Sequence, residues 1–212
     1  MGTVSGTIKF SKATSQGIII IMQEIYENIA ENISSNPQFF RLMDWCRRVD
    51  NITIVGFGSG LSTLVALSTK PKSITLYDHV LPDGIGDYQA LANQYGIQFV
   101  FHNKMIVELD TILQTDMLIV DAFAEGNVVM TICQKFEKCV NRYIVVNNTF
   151  KHAHQPDPTV RLGNGVQAIG VVFGLNSFLQ NNDPWHIAEN MYYAPGLTLL
   201  YCRKDLLDNG QN

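Results

Sequence analysis

The chain has 212 residues, 15 Lys+Arg against 19 Asp+Glu for a formal charge of −4, and 46% hydrophobic residues. This is a globular composition that can fill one sizeable core, and it leaves no basic excess to neutralise a nucleic-acid backbone. No run reaches the ~18–20 apolar residues needed to span a bilayer. The apolar run at 17–22 is too short, and the N-terminus lacks the charged-then-apolar pattern of a secretory signal, so no membrane association is expected. Cys46, Cys133, Cys139 and Cys202 form no CxxC pair, which points to reduced thiols in a cytoplasmic protein.

Residues 1–14 read as an arm. Over 16–33 the positions Ile18, Ile21, Met22, Ile25, Ile29 and Ile33 recur at helical spacing, with Glu24, Glu27 and Glu31 opposite them. A second helix is expected over 37–48, opened by Pro37. A β-branched run at 51–55 then ends in glycines and reads as a buried strand. Further strands are expected at 72–77, 97–101, 116–120 and 142–146. Helices are expected at 61–69, 88–95, 128–140 and 166–179. Two last strands, 185–192 and 197–202, are separated by too short a turn to be parallel neighbours.

Alternating strands and helices imply βαβ units. The expected fold is therefore α/β, with a doubly wound, mostly parallel seven-stranded sheet closed by a C-terminal antiparallel hairpin. Residues 1–50 are read as an N-terminal arm and cap helices, and 51–212 as a single domain. The apolar stripes of the N-terminal helices must pack on something, either this chain or a second copy in a homodimer.

The chemistry concentrates after the first strand, where Gly56-Phe57-Gly58-Ser59-Gly60 runs into a helix beginning Leu61-Ser62-Thr63. Glycines let the backbone turn sharply and approach a ligand, and a helix N-terminus favours an anionic group. Asp78 ends the second strand, 18 residues past Gly60. A carboxylate there can accept both hydroxyls of a ribose. Together these residues indicate a nucleoside-containing ligand bound where the strand order reverses. The third glycine of the dinucleotide pattern GxGxxG would fall at position 61, which is Leu61.

The Gly56-x-Gly58-x-Gly60 spacing, with Ser62-Thr63 after it and an antiparallel hairpin at the end of the sheet, resembles the S-adenosylmethionine (SAM) loop and fold of class I methyltransferases. The likeness extends over about residues 51–203 and is nearest to the catechol-type and the sugar and macrolide O-methyltransferases. It implies a Rossmann-like methyltransferase fold with SAM as cofactor. By the same likeness Gly56, Phe57, Gly58, Ser59, Gly60 and Ser62 hold the methionine part, while Asp78, with His79 beside it, holds the ribose. His102 and Asn103 flank the adenine, and Asp121, Ala122 and Phe123 face the methyl donor and the acceptor. The chain departs from the family at Ile54, where an acid two residues before the first glycine usually contacts the amino group of SAM.

The catalytic candidates are Asp121, His152 and His154. The two histidines lie in a polar stretch, 147–164, that reads as a substrate lid, with Arg161 in it. Asp121, Asn147 and Asn148 correspond to a magnesium site in catechol-type relatives. One carboxylate and two amides make a weak set for a hard cation, so a divalent metal is not expected. Tyr192, Tyr193 and Trp185 read mainly as packing residues. The expected activity is methyl transfer to an oxygen of a small molecule or sugar. A SAM-binding scaffold without turnover, a different reaction of SAM and a nicotinamide enzyme are the other readings.

Overall fold

A computed structural model describes residues 37–122, 124–158, 166–192 and 195–203. The expected first helix at 16–33 lies outside them, as do Phe123, Arg161 and Tyr193. Seven strands form one sheet: β1 Asn51–Val55, β2 Ser73–Asp78, β3 Gln98–Asn103, β4 Thr115–Val120, β5 Val140–Asn147, β6 Trp185–Met191 and β7 Leu197–Cys202. Their order is β3-β2-β1-β4-β5-β7-β6. β1 to β5 are mutually parallel, and β7 runs antiparallel between β5 and β6. The chain winds outward from β1 through β2 to β3, then returns to β4 on the other side of β1. The switch point therefore lies between β1 and β4, at the glycine-rich turn.

The helices are α1 Pro37–Cys46, α2 Leu61–Ser68, α3 Ile85–Gln94, α4 Gly126–Phe136 and α5 Val171–Gln180. Period-two alternation of the strands sorts them onto two faces. Ile52 and Ile54 of β1, with Met117 and Ile119 of β4, enter the core shared with α1, α2 and α3. Val55, Leu118 and Val120 point the other way, into the core under α4 and α5. α1 buries Phe39, Leu42, Trp45 and Cys46 in this chain's own core. Ile54 is fully buried there and brings no polar group to the loop that follows it.

Three helix starts differ from expectation: α3 begins at Ile85, ahead of the expected 88, and the other two have local reasons. The run from Val166 is non-helical up to Gly170, where the backbone passes directly over the 153–154 segment. A Cβ on Gly170 would lie 2.3 Å from the Ala153 carbonyl oxygen. α4 begins at Gly126, ahead of the expected 128, because the buried Glu125 carboxylate accepts the Val128 N–H and caps the helix. α4 and α5 meet through glycines: a Cβ on Gly174 would fall 1.9 Å from the Gly126 carbonyl oxygen. Cys46, Cys133 and Cys202 are buried free thiols and Cys139 is half-buried. Trp185 is core, whereas Tyr192 at the end of β6 is 71% exposed and packs on little. Among the described residues no helix is long and apolar enough to cross a membrane.

Candidate functional site

The C-terminal ends of β1, β2, β4 and β5 open onto a cleft of about 820 Å³, within the range of small-molecule sites. Its first wall is the turn after β1. Gly56, Gly58 and Gly60 all have positive φ, at 87°, 53° and 79°. At Gly56 the need for glycine is also spatial, since a Cβ would stand 2.5–2.6 Å from the Asp121 and Ala122 backbone. The Asp121 N–H bonds to the Val55 carbonyl and the Gly56 N–H to the Tyr77 carbonyl, both at 2.8 Å, so the turn is pinned to β4 and β2 at once.

Gly56, Gly58, Ser59 and Ser62 line the cleft. Phe57 and Gly60 do not; they form the back of the turn. The Phe57 ring meets Tyr88 edge-on at 5.1 Å, and Gly60 packs beneath both rings. Phe57 contributes its main chain, donating N–H to Asp78 Oδ2 at 2.7 Å. Asp78 lines the cleft, with Oδ1 accepting from the Val80 N–H at 3.0 Å and lying 3.1 Å from His79 Nδ1. Oδ2, which holds only the Phe57 N–H, keeps a further lone pair for a hydroxyl.

His102 and Asn103 stand apart from the cleft lining. His102 stacks on Tyr77 at 4.7 Å, and it is Tyr77 that reaches the cleft. The residues after β3 that do line it are Lys104, Met105 and Ile106. The sequence offered a signal for these in the apolar pair Met105-Ile106 just past the strand end.

Asp121, directly after β4, packs against the turn. Its Oδ2 accepts from the Ser62 hydroxyl at 2.6 Å, and its Oδ1 accepts from Asn147 Nδ2. Burial pushes its pKa up to about 6, against the opposing effect of those two hydrogen bonds. Ala122 also lines the cleft.

The second wall is the loop after β5. Asn147, Asn148 and His152 line it, with Lys151 and Asp157. The HxH pair divides: His152 is buried with Nε2 3.9 Å from Asp157 Oδ2, whereas His154 is exposed and packs against Phe173. His154 therefore stands outside the cleft lining.

Asn147 donates an amide N–H to Asp121 Oδ1, and its amide oxygen accepts the Asn148 N–H at 2.8 Å. Among the described residues no three His, Cys, Asp or Glu side chains are grouped to hold an ion.

Over 147–158 the expected lid is tied by backbone hydrogen bonds to neighbouring segments. Phe150 and Lys151 both donate N–H to the Pro195 carbonyl, and Asp157 donates to Ala124. Val171 and Val172, opening α5, donate to His152 and Ala153. α1 completes the cleft with Gln38 and Phe39, and Gln38 Oε1 accepts the Gly196 N–H at 3.1 Å. Nothing in the local sequence marks Gln38 for this place; it follows from how α1 packs across the sheet.

No sequence-family model matches the chain, and no curated protein sequence matches it. Solved structures do. The N-methyltransferase NodS of Bradyrhizobium japonicum superposes with a TM-score of 0.58 at 16% identity, over 82% of this chain and 97% of that one. An O-methyltransferase of Bacillus cereus, in complex with S-adenosylhomocysteine (SAH), gives 0.57 at 11% identity over 90% and 92%. The O-methyltransferase TomG of Streptomyces achromogenes, in complex with SAM, gives 0.56 at 16% identity over 84% and 89%. At such identities the likeness speaks for architecture, and the architecture of this chain is the Rossmann-like fold of the class I methyltransferases.

Proposed function

We propose that the protein is a SAM-dependent methyltransferase acting on an oxygen of a small molecule or sugar. The observation that carries this reading is the meeting, in one cleft at the switch point, of the positive-φ glycine turn, Asp78 and Asp121. The fit is chemical. The glycine turn leaves main chain bare for close approach, and Asp78 offers a lone pair to a ribose. Met105 and Ile106 offer an apolar surface to a base. Two of the similar structures hold SAM or SAH.

When bound, SAM supplies an electrophilic methyl group on a sulfonium. The work of this chain is to align an acceptor with that group, exclude water and take up the acceptor's proton. Asn147 and Asn148 lie beside Asp121 and are placed to orient an acceptor hydroxyl. His152 is assigned as the group that accepts its proton, since a cleft-lining imidazole suits that task near neutral pH. Asp157 would steady the resulting imidazolium.

The test is a thermal shift followed by an acceptor panel. SAM and SAH at about 100 times Kd stabilise the protein by roughly 2.7 kcal/mol, seen as a rise in Tm, and NAD does not. Hydroxyl acceptors are then screened by SAH release. Absence of any shift with either ligand removes the proposal. A second reading, binding without turnover, is favoured by the wholly apolar setting of Ile54. It predicts a shift with both ligands and no SAH release from any acceptor.

A further inference from the structure

Two lysines line the cleft, Lys104 after β3 and Lys151 after β5. In the order β3-β2-β1-β4-β5 those strands are four spacings of ~4.8 Å apart, so Lys151 stands at the end of the cleft away from Asp78. It belongs to a single turn, closed by the His152 N–H donating to the Asn148 carbonyl at 3.1 Å. Residues three and four apart in such a turn share a face. Asn148, Lys151 and His152 accordingly line the cleft together, whereas Thr149 and Phe150 between them do not. An amide, an ammonium and an imidazole are thus presented in one row.

We propose that Lys151 selects the acceptor: a small molecule carrying an oxyanion group, carboxylate or phosphate, that seats on the ammonium while its hydroxyl lies against Asn148 and His152. The inference rests on the SAM reading above and names the acceptor class for it. The root of Lys151 is fixed. Its N–H donates to the Pro195 carbonyl at 3.0 Å, beside the Phe150 N–H at 3.1 Å. A Cβ on Gly196 would lie 2.4 Å from the Phe150 nitrogen, so the turn before β7 presses directly on this segment. The side chain itself is exposed, and among the described residues no carboxylate forms an ion pair with it. Asp157, the acid of the same wall, lies against His152 instead, at 3.9 Å.

A lysine ammonium is a compact charge on a flexible stem, and it takes a carboxylate or a phosphate without demanding a two-pronged fit. On an open surface such a pair is worth little. In a cleft from which the acceptor itself displaces water, the same pair is stronger. Because main chain fixes the root, the reach of the stem sets the separation between the anion and the oxygen to be methylated. Short hydroxy acids and hydroxy phosphates are therefore preferred over their neutral counterparts. Lys104, rooted on the far side of β1, does not provide this contact.

The experiment titrates matched pairs into the SAH-bound protein: 3-hydroxybenzoate against 3-hydroxybenzamide, and glucose 6-phosphate against glucose. In the wild type at least one anionic member binds about tenfold or more tightly than its neutral mate, and the pair that shows this separates a carboxylate from a phosphate. Lys151→Gln brings the ratio below about threefold, and Lys151→Arg, which restores the charge, keeps it. SAH titration of each variant reports whether it is folded. Raising ionic strength from about 0.05 to about 0.5 M lowers the wild-type ratio, because salt screens a contact at an exposed ammonium. The wild-type ratio and its salt dependence decide the matter even if a variant folds poorly. SAH bound but no anion preference in either pair, binding of no member included, overturns the inference and leaves the SAM reading standing. So does a preference that is indifferent to salt or survives Lys151→Gln. No binding of SAH by wild type overturns both.

Discussion

The wall of the cleft made by residues 56–62 and Asp78 continues directly from two adjacent parallel strands. The opposite wall, residues 147–157, is a loop tied to three separate stretches of chain: the turn before β7, the segment before α4 and the start of α5. The first wall is built from conformation. Its glycines occupy φ values that L side chains avoid, and its shape follows from strand, turn and helix in sequence order. The second is built from long-range hydrogen bonds, with Asn148 at φ 64° the single described residue in it forced into the left-handed region. Changes to the first wall should therefore damage folding and nucleoside binding together. Changes to the second should separate chemistry from both.

The widest separation is expected at His152. Replacing it with Gln should lower kcat/KM for a hydroxyl acceptor by about 10²–10⁴-fold and leave SAH affinity nearly unchanged, read by steady-state kinetics beside SAH titration. Equal losses in both would mean that His152 supports the fold of the loop and does not take the proton.

Gly56→Ala attacks the first wall. It forces a Cβ into the Asp121–Ala122 backbone at positive φ and should cost more than about 2 kcal/mol in urea unfolding, with SAH binding lost in the folded fraction. Unfolding at wild-type denaturant concentration would show that the turn has room to shift.

Asp78→Ala sharpens the contrast within that wall. It should weaken SAH and 5′-methylthioadenosine, which lacks the amino-acid end, alike, by about 10–100-fold, because it removes a charged acceptor and leaves the Phe57 N–H without its partner. Selective loss of SAH would place Asp78 at the amino-acid end and not at the ribose.

The smallest effect belongs to Asn148. Asn148→Gly should change stability by less than about 1 kcal/mol, since asparagine already tolerates the left-handed region. Asn148→Val should cost about 1–2 kcal/mol, because a β-branched side chain does not tolerate it. Equal stability of the two variants would show that this segment relaxes freely.

Much of the fold was legible because its signals are local. The run at 51–55 is β1 residue for residue, since β-branched residues flanked by glycine leave few alternatives. The antiparallel β6–β7 pair followed from the shortness of the turn between them. Asp78 was legible because strand ends place side chains in the crevice of a parallel sheet. His102 and His154 do not line the cleft, because a residue's position along the chain does not say which way it faces. Stacking on Tyr77 turned one aside, and packing on Phe173 turned the other.

The sequence by itself determined the order of strands and helices, the glycine turn and the acid beside it. Each of these depends on contacts within a few residues or on the fixed periods of strand and helix. The tertiary structure decided that Gln38 and Phe39 of α1 close the cleft, that His152 and not His154 faces into it, and that Ser62, Asp121 and Asn147 form one hydrogen-bonded group. Those are meetings of residues as many as 158 positions apart, as between Gln38 and Gly196, and only packing across the sheet brings them together.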